Sequence, residues 1–251
     1  MKKKYSFASL VLCCFLFAIR SAVAGEFSVT PIRLELGAAI RSSVINIKND
    51  DTQKLNFQLQ AVEWSQDSAG KDQYTVSQDL IFFPKILSVE PGEEGLIRVG
   101  TKTPAVSTEK TYRLFIEELP SPNKSTAGNG AQINVLIRFG APVFISPLKP
   151  LDSLDIENFQ INEGVVSLSV KNTGNRHQFV QGINLRGLDR TGNEVYGLTL
   201  TDRYLLTGSA KSYAATIPPG QCGKVTSLAV EFKTDKFVAT RKLDVSRSMC
   251  P

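Results

Sequence analysis

Few side chains in this sequence are spaced to do covalent or acid–base chemistry. The single histidine, His177, sits in NTGNRHQ, a turn-like stretch in which a solvated imidazole is expected rather than a general base. The carboxylate pairs Asp50-Asp51, Glu93-Glu94 and Glu117-Glu118 are sequence neighbours. On a strand such neighbours point to opposite faces, so they read as solvated turn or edge charges rather than an acid and base sharing a substrate. No phosphate-binding Gly-rich loop ending in Lys-Ser or Lys-Thr, no H-E-x-x-H and no G-x-S-x-G elbow occurs. The expectation is therefore no catalytic residue, no cofactor and no ATP site. Of four cysteines, Cys13 and Cys14 fall in the leader, leaving Cys222 and Cys250. With one histidine in the whole chain these two cannot complete an ordinary zinc site, so no metal is expected; in an exported chain their simplest state is one disulfide.

What remains is non-covalent chemistry. Residues 131–147 read AQINVLIRFGAPVFISP, with large apolar side chains on every second residue: Ile133, Val135, Ile137 and Phe139. Strict alternation places all four on one face of a strand, and the other face, Gln132, Asn134, Leu136 and Arg138, is mostly polar. The apolar face needs a partner, either the protein's own core or something else.

The elements that would position this strand are strands themselves. The first 24 residues, MKKKYSFASLVLCCFLFAIRSAVA, combine three lysines, a short apolar run and a small-residue end, which predicts a secretory signal peptide cleaved after Ala24. The apolar run is too short to span a bilayer comfortably and no later run is long enough, so no membrane insertion is expected. Lys2, Lys3, Lys4 and Arg20 lie in the leader, so 25 basic and 24 acidic residues remain, a net charge of +1. That balance gives no support to nucleic-acid or membrane-surface binding. The remaining 227 residues suit two domains, and Ser146-Pro147-Leu148-Lys149-Pro150 is the natural divide. Upstream, FSVTPIRLEL, SVINIKN, LNFQLQAVEW, IFFPKILSV, EGLIRVG, TYRLFIEEL and the alternating run form seven short strands separated by turn residues, the pattern of an immunoglobulin-like sandwich. Downstream, VVSLSVKN, QFVQGINLRGL, EVYGLTL, KSYAATI, VTSLAVEF and RKLDV repeat it. The predicted organisation is a signal peptide over 1–24, a first domain over 25–146 whose last strand spans 132–146, a hinge over 147–151 and a second domain over 152–251.

The run FFPKILSVEPGEEGLIRV, followed by TYRLFIEELP and INVLIRFGAPVFISP, resembles the periplasmic chaperones of the chaperone-usher pilus pathway, and VSLSVKNTGNRHQFV is similar to the early hairpin of their second domain. The resemblance covers the chain after its leader, in order. It implies an all-β fold of two immunoglobulin-like sandwiches set at an angle with a cleft between them, and a periplasmic, ATP-independent, non-enzymatic chaperone. Its partners would be pilus or fimbrial subunits and an outer-membrane usher. In this family the last strand of the first domain is donated to a subunit that lacks one, a form of strand addition, and by position the donor residues are Ile133, Val135, Ile137 and Phe139. Without a subunit this exposed apolar strand is an aggregation hazard and is expected to be hidden, by self-association or by mobility of the loop between Pro120 and Gly130. The resemblance also implies a cleft arginine, Arg33, that grips the subunit's terminal carboxylate. The lysine that usually assists it is replaced by Pro142. Arg113, on the preceding strand, is the candidate substitute, expected level with residues between Ile137 and Ala141. This departure points to the archaic or alternative branch of the family. A secreted structural β-sandwich, such as a pilus subunit or adhesin, is the alternative, disfavoured because two apparently complete domains follow the leader.

Overall fold

The computed structural model describes residues 26–103, 105–120 and 135–251. Ten strands build the first sandwich: β1 (Phe27–Thr30), β2 (Leu34–Leu36), β3 (Ser42–Asn49), β4 (Leu55–Gln66), β5 (Asp72–Val76), β6 (Leu80–Phe83), β7 (Ile86–Val89), β8 (Glu94–Thr101), β9 (Lys110–Glu118) and β10 (Arg138–Ile145). One sheet runs β1-β3-β8-β6 and the other β2-β10-β9-β4-β5, with β7 also paired to β4. The period-2 pattern explains why they face each other: Ile45 and Ile47 of β3 and Ile97 and Val99 of β8 meet Phe57 of β4 and Leu114 and Ile116 of β9 in one buried core.

The second sandwich contains β11 (Leu154–Asn162), β12 (Val165–Asn172), β13 (Gln178–Leu188), β14 (Glu194–Leu200), β15 (Tyr204–Leu205), β16 (Ala210–Thr216), β17 (Ser227–Thr234) and β18 (Val238–Asp244). Its sheets run β11-β12-β16 and β14-β13-β17-β18, with β15 paired to β13. Val166, Leu168 and Val170 of β12 pack against Ile183 and Leu185 of β13 and Val230 and Phe232 of β17. Cys222, closing a helical turn at Pro219–Cys222, is bonded to Cys250 with Cα atoms 5.7 Å apart, which ties the end of the chain to this sandwich.

Two predicted strands are each divided between sheets at a proline. FSVTPIRLEL becomes β1 on β3 and β2 on β10, broken at Pro31; IFFPKILSV becomes β6 on β8 and β7 on β4, broken at Pro84. Strands β5, β11 and β15 lie outside the predicted runs. β5 is an almost wholly exposed edge strand without a buried face, and β11 loses its alternation at a bulge between Glu157 and Gln160.

Both sandwiches turn the same corner on a buried asparagine. Asn49 donates from Nδ2 to Gln53 O and Val89 O while its Oδ1 accepts from Asp51 N–H; Asn172 donates to Arg176 O and Leu205 O and accepts from Gly174 N–H. A side chain that supplies three bonds to otherwise orphaned main-chain groups fixes the loop after the strand.

Candidate functional site

The two halves of β10 have different surroundings. Ala141, Val143 and Ile145 lie on the core face and are fully buried. The same parity continues through Phe139, paired with Ile116 and partly buried against the core, to Ile137, half-buried, and Val135, 56% exposed. One apolar stripe thus starts inside the sandwich and runs out of it. Regular strand structure begins at Arg138 rather than 132, although the ladder reaches Ile137, whose C=O accepts from Glu118 N–H at 2.9 Å and whose N–H donates to the Glu118 carboxylate at 3.3 Å. Ile133 lies outside the described residues.

Among the described residues no strand covers the other edge of β10 along this half. β9 pairs with it from Arg138 to Ile145, but β2 covers only Val143–Ile145. Because Ile137 bonds toward β9, alternation turns the main-chain groups of Arg138 and the N–H of Gly140 toward the uncovered edge, the Gly140 carbonyl being taken by Arg113.

On the outer face of this sheet two arginines flank Pro142. Arg113 is the cross-strand partner of Pro142, one residue beyond the expected span of Ile137 to Ala141. On the other side, Leu34 pairs in parallel with Val143, so Arg33 stands level with Pro142, and the alternation of buried Leu34 and Leu36 with exposed Glu35 puts Arg33 on the outer face. The two Cα atoms are two strand spacings apart, about 10 Å. Arg33 is half-exposed, with Nη2 3.5 Å from Glu35 Oε1. Arg113 is more enclosed: Nη1 donates to Gly140 O at 3.0 Å, Cζ lies 3.8 Å from the Trp64 ring centroid, and Nη2 is 3.9 Å from Asp72 Oδ2. Gly140 makes room for the neighbouring Phe115 ring, which a Cβ there would meet at 3.0 Å, while Arg113 Cδ would lie at an ordinary 3.8 Å. Arg138 instead lies 3.9 Å over Phe115 and 3.3 Å from Glu117. The Tyr74 hydroxyl beside Asp72 is pushed above its ordinary pKa by burial and then by the Asp72 charge, against a smaller opposing effect of Arg113.

Below the arginines the second sandwich closes the site. Trp64, Phe144, Tyr204 and Leu206 form a buried cluster between the two sandwiches, with Phe179 against it. Gln66 links them by donating to Tyr204 O at 2.9 Å and accepting from Leu206 N–H at 3.0 Å. His177 corrects its sequence reading: it is 4% exposed, stacked 3.6 Å on Phe144, with Nδ1 2.9 Å from both Glu109 carboxylate oxygens. Beside it, hydrogen bonds from Arg176 hold the Asp152 carboxyl below its usual range, burial opposing them. A signal for this interface was present in the sequence. In β4 the apolar positions Leu55, Phe57, Leu59 and Ala61 are followed by Val62 and Trp64 on the other parity, and Phe144 interrupts Val143 and Ile145 in the same way. Apolar side chains on both faces require cover on both. Among the described residues no group of three or more His, Cys, Asp or Glu could hold a metal ion, and no helix is long and apolar enough to cross a membrane.

Residues 26–150 match the family described as pili and flagellar-assembly chaperone, PapD N-terminal domain. No curated protein matches the chain. Solved structures with the same fold include a chain of the CsuC–CsuE chaperone–tip adhesion subunit pre-assembly complex from the archaic chaperone-usher Csu pili of Acinetobacter baumannii, at TM-score 0.55 and 17% identity over 86% of this chain and 97% of that one. The class 5 fimbriae chaperone CfaA matches at TM-score 0.57 and 14% identity over 88% and 100%. A chain of the Salmonella enterica SafA pilin–SafB chaperone complex matches at 0.56 and 13% over 90% and 99%. At these identities the structures speak for the fold, two immunoglobulin-like sandwiches, and the family match speaks for descent. The chain belongs, through residues 26–150, to the family of pili and flagellar-assembly chaperones.

Proposed function

We infer that this protein is a non-enzymatic, ATP-independent periplasmic chaperone that captures pilus or fimbrial subunits by donor-strand complementation and delivers them to an outer-membrane usher. The observation that carries this reading is the divided strand β10, whose apolar stripe leaves the core at Phe139 and continues through Ile137 to exposed Val135 beside an uncovered strand edge. An incomplete subunit sandwich needs both things this edge offers: main-chain groups to extend its sheet and alternate apolar side chains to fill its groove. In this reading the signal peptide is 1–24, the donor domain 25–146, the hinge 147–151 and the second domain 152–251.

Magnitudes say the strand needs help. Burying Ile133, Val135, Ile137 and Phe139 in a groove yields about 6 to 12 kcal/mol, while association and ordering remove about 4 to 15. A second anchor is therefore required, and Arg33 and Arg113 on either side of Pro142 are its candidates, gripping a subunit's terminal carboxylate by charge-assisted hydrogen bonds. Using an arginine across from Pro142 instead of a lysine on the donor strand is the feature that assigns the chain to the archaic or alternative branch. Without a subunit, the exposed stripe favours self-association.

Co-expression with the small secreted proteins of the same operon, followed by size-exclusion chromatography, tests the function. A one-to-one complex is expected; elution of the chain apart from every such protein would contradict it.

A further inference from the structure

The Arg113 guanidinium already faces a carboxylate of its own chain. Nη1 is committed to Gly140 O and the guanidinium lies on Trp64, which leaves Nη2 toward Asp72 Oδ2 at 3.9 Å. That separation is an ion pair but too long for a hydrogen bond. The two partners are held unequally. The Arg113 side chain is 16% exposed, whereas that of Asp72 is 36% exposed and begins β5, an edge strand paired only with β4. The remaining side-chain bonds of Asp72 are an ordinary one from Gln66 Nε2 at 3.1 Å and a long one from Tyr74 Oη at 3.3 Å. Gln66 is fixed independently by Tyr204 and Leu206, so it keeps its place if Asp72 moves. An enclosed cation thus carries, on its Nη2 side, a more exposed anion that it does not hydrogen-bond.

We propose that Asp72 is an internal occupant of the Arg113 site, which the terminal carboxylate of a bound chain must displace, so that Asp72 sets how strongly the cleft discriminates a charged chain end from an uncharged one. The proposal rests on Arg113 being the carboxylate anchor. An arriving carboxylate meets the like charge of Asp72 near the same Nη2, and the net gain is the difference between the new pair and the old one. A chain end that carries no charge displaces nothing and is unaffected.

The test uses the full-length mature protein and, as probe, a ten-residue peptide of alternating valine and threonine in two forms, free acid and terminal amide, titrated by NMR. Asp72→Asn keeps the shape and removes the charge. The acid-to-amide affinity ratio should rise about two- to fivefold in Asp72→Asn, the range set by a partly exposed ion pair, with the amide affinity unchanged. Asp72→Glu, which keeps the charge, should leave the ratio near that of the unsubstituted protein. A ratio in Asp72→Asn that is unchanged or lower overturns the proposal, the lower value making Asp72 a residue that merely orients Arg113. Arg113→Ala reports separately on the anchor: loss of the acid preference supports it, and a preference that survives removes the anchor reading whatever Asp72 does. Thermal unfolding of each variant confirms that the ratios compare folded proteins.

Discussion

The two sandwiches turn the same corner, on Asn49 and Asn172, yet treat their last strands in opposite ways. β18 pairs only with β17, and its exposed residues include Thr240, Arg241 and Lys242, with the segment beyond it tied down by Cys222–Cys250. Charges on an edge strand are a common guard against pairing with another chain. Among the described residues β10 is uncovered on one edge from Arg138 to Pro142, and the residues leading into it, Val135, Leu136 and Ile137, are apolar. An edge guarded by charge in one domain and flanked by apolar side chains in the other is what the proposed donation of a strand requires.

The largest expected effect tests the buried end of that contrast. Val143 is fully buried on the same stripe as Ile137. Val143→Asp places an unpaired charge in the core and should cost about 4 kcal/mol or more, seen by calorimetry as loss of the first sandwich's transition. Next comes the guarded end. Replacing Cys222 and Cys250 by serine should cost the second sandwich about 3 to 4 kcal/mol on the chain-entropy account and leave the first unchanged. Equal loss in both transitions would mean the sandwiches unfold as one unit.

Much of this contrast was legible in the sequence. The turn residues and the two late cysteines read correctly as corners and a disulfide because each depends on local pattern or simple counting; of the alternation from Ile133 to Phe139, only Phe139 lies within β10, and Ile133 is outside the described residues. The contents of the interface did not. His177 looks like a solvated turn residue because its burial is created by Glu109 and Phe144, 68 and 33 residues away. β5, and Asp72 with it, was missed because its one apolar pair, Tyr74 and Val76, is too short an alternation to announce a strand. The row Arg33, Pro142, Arg113 was legible in kind, but its register depends on pairings that only the fold fixes.

That row gives a smaller effect. Arg113→Ala and Arg33→Ala should each weaken subunit capture by about 1.5 to 3 kcal/mol, the loss of one set of charged hydrogen bonds, in a binding titration. Arg138→Ala, which removes an exposed pair with Glu117, should change it little. A damaging Arg138→Ala beside a silent Arg113→Ala would place the second cation on the donor strand itself.

The measurement closest to the central claim is capture by Ile137→Asp alongside its thermal transition. Ile137 is on the stripe but half outside the core, so the first sandwich should keep its transition while the variant no longer retains a co-expressed subunit on size exclusion, since the charge would be buried unpaired in the subunit's groove. Loss of the transition itself would show the stripe at Ile137 to be ordinary core, and undiminished capture by a folded variant would show that subunits are held elsewhere.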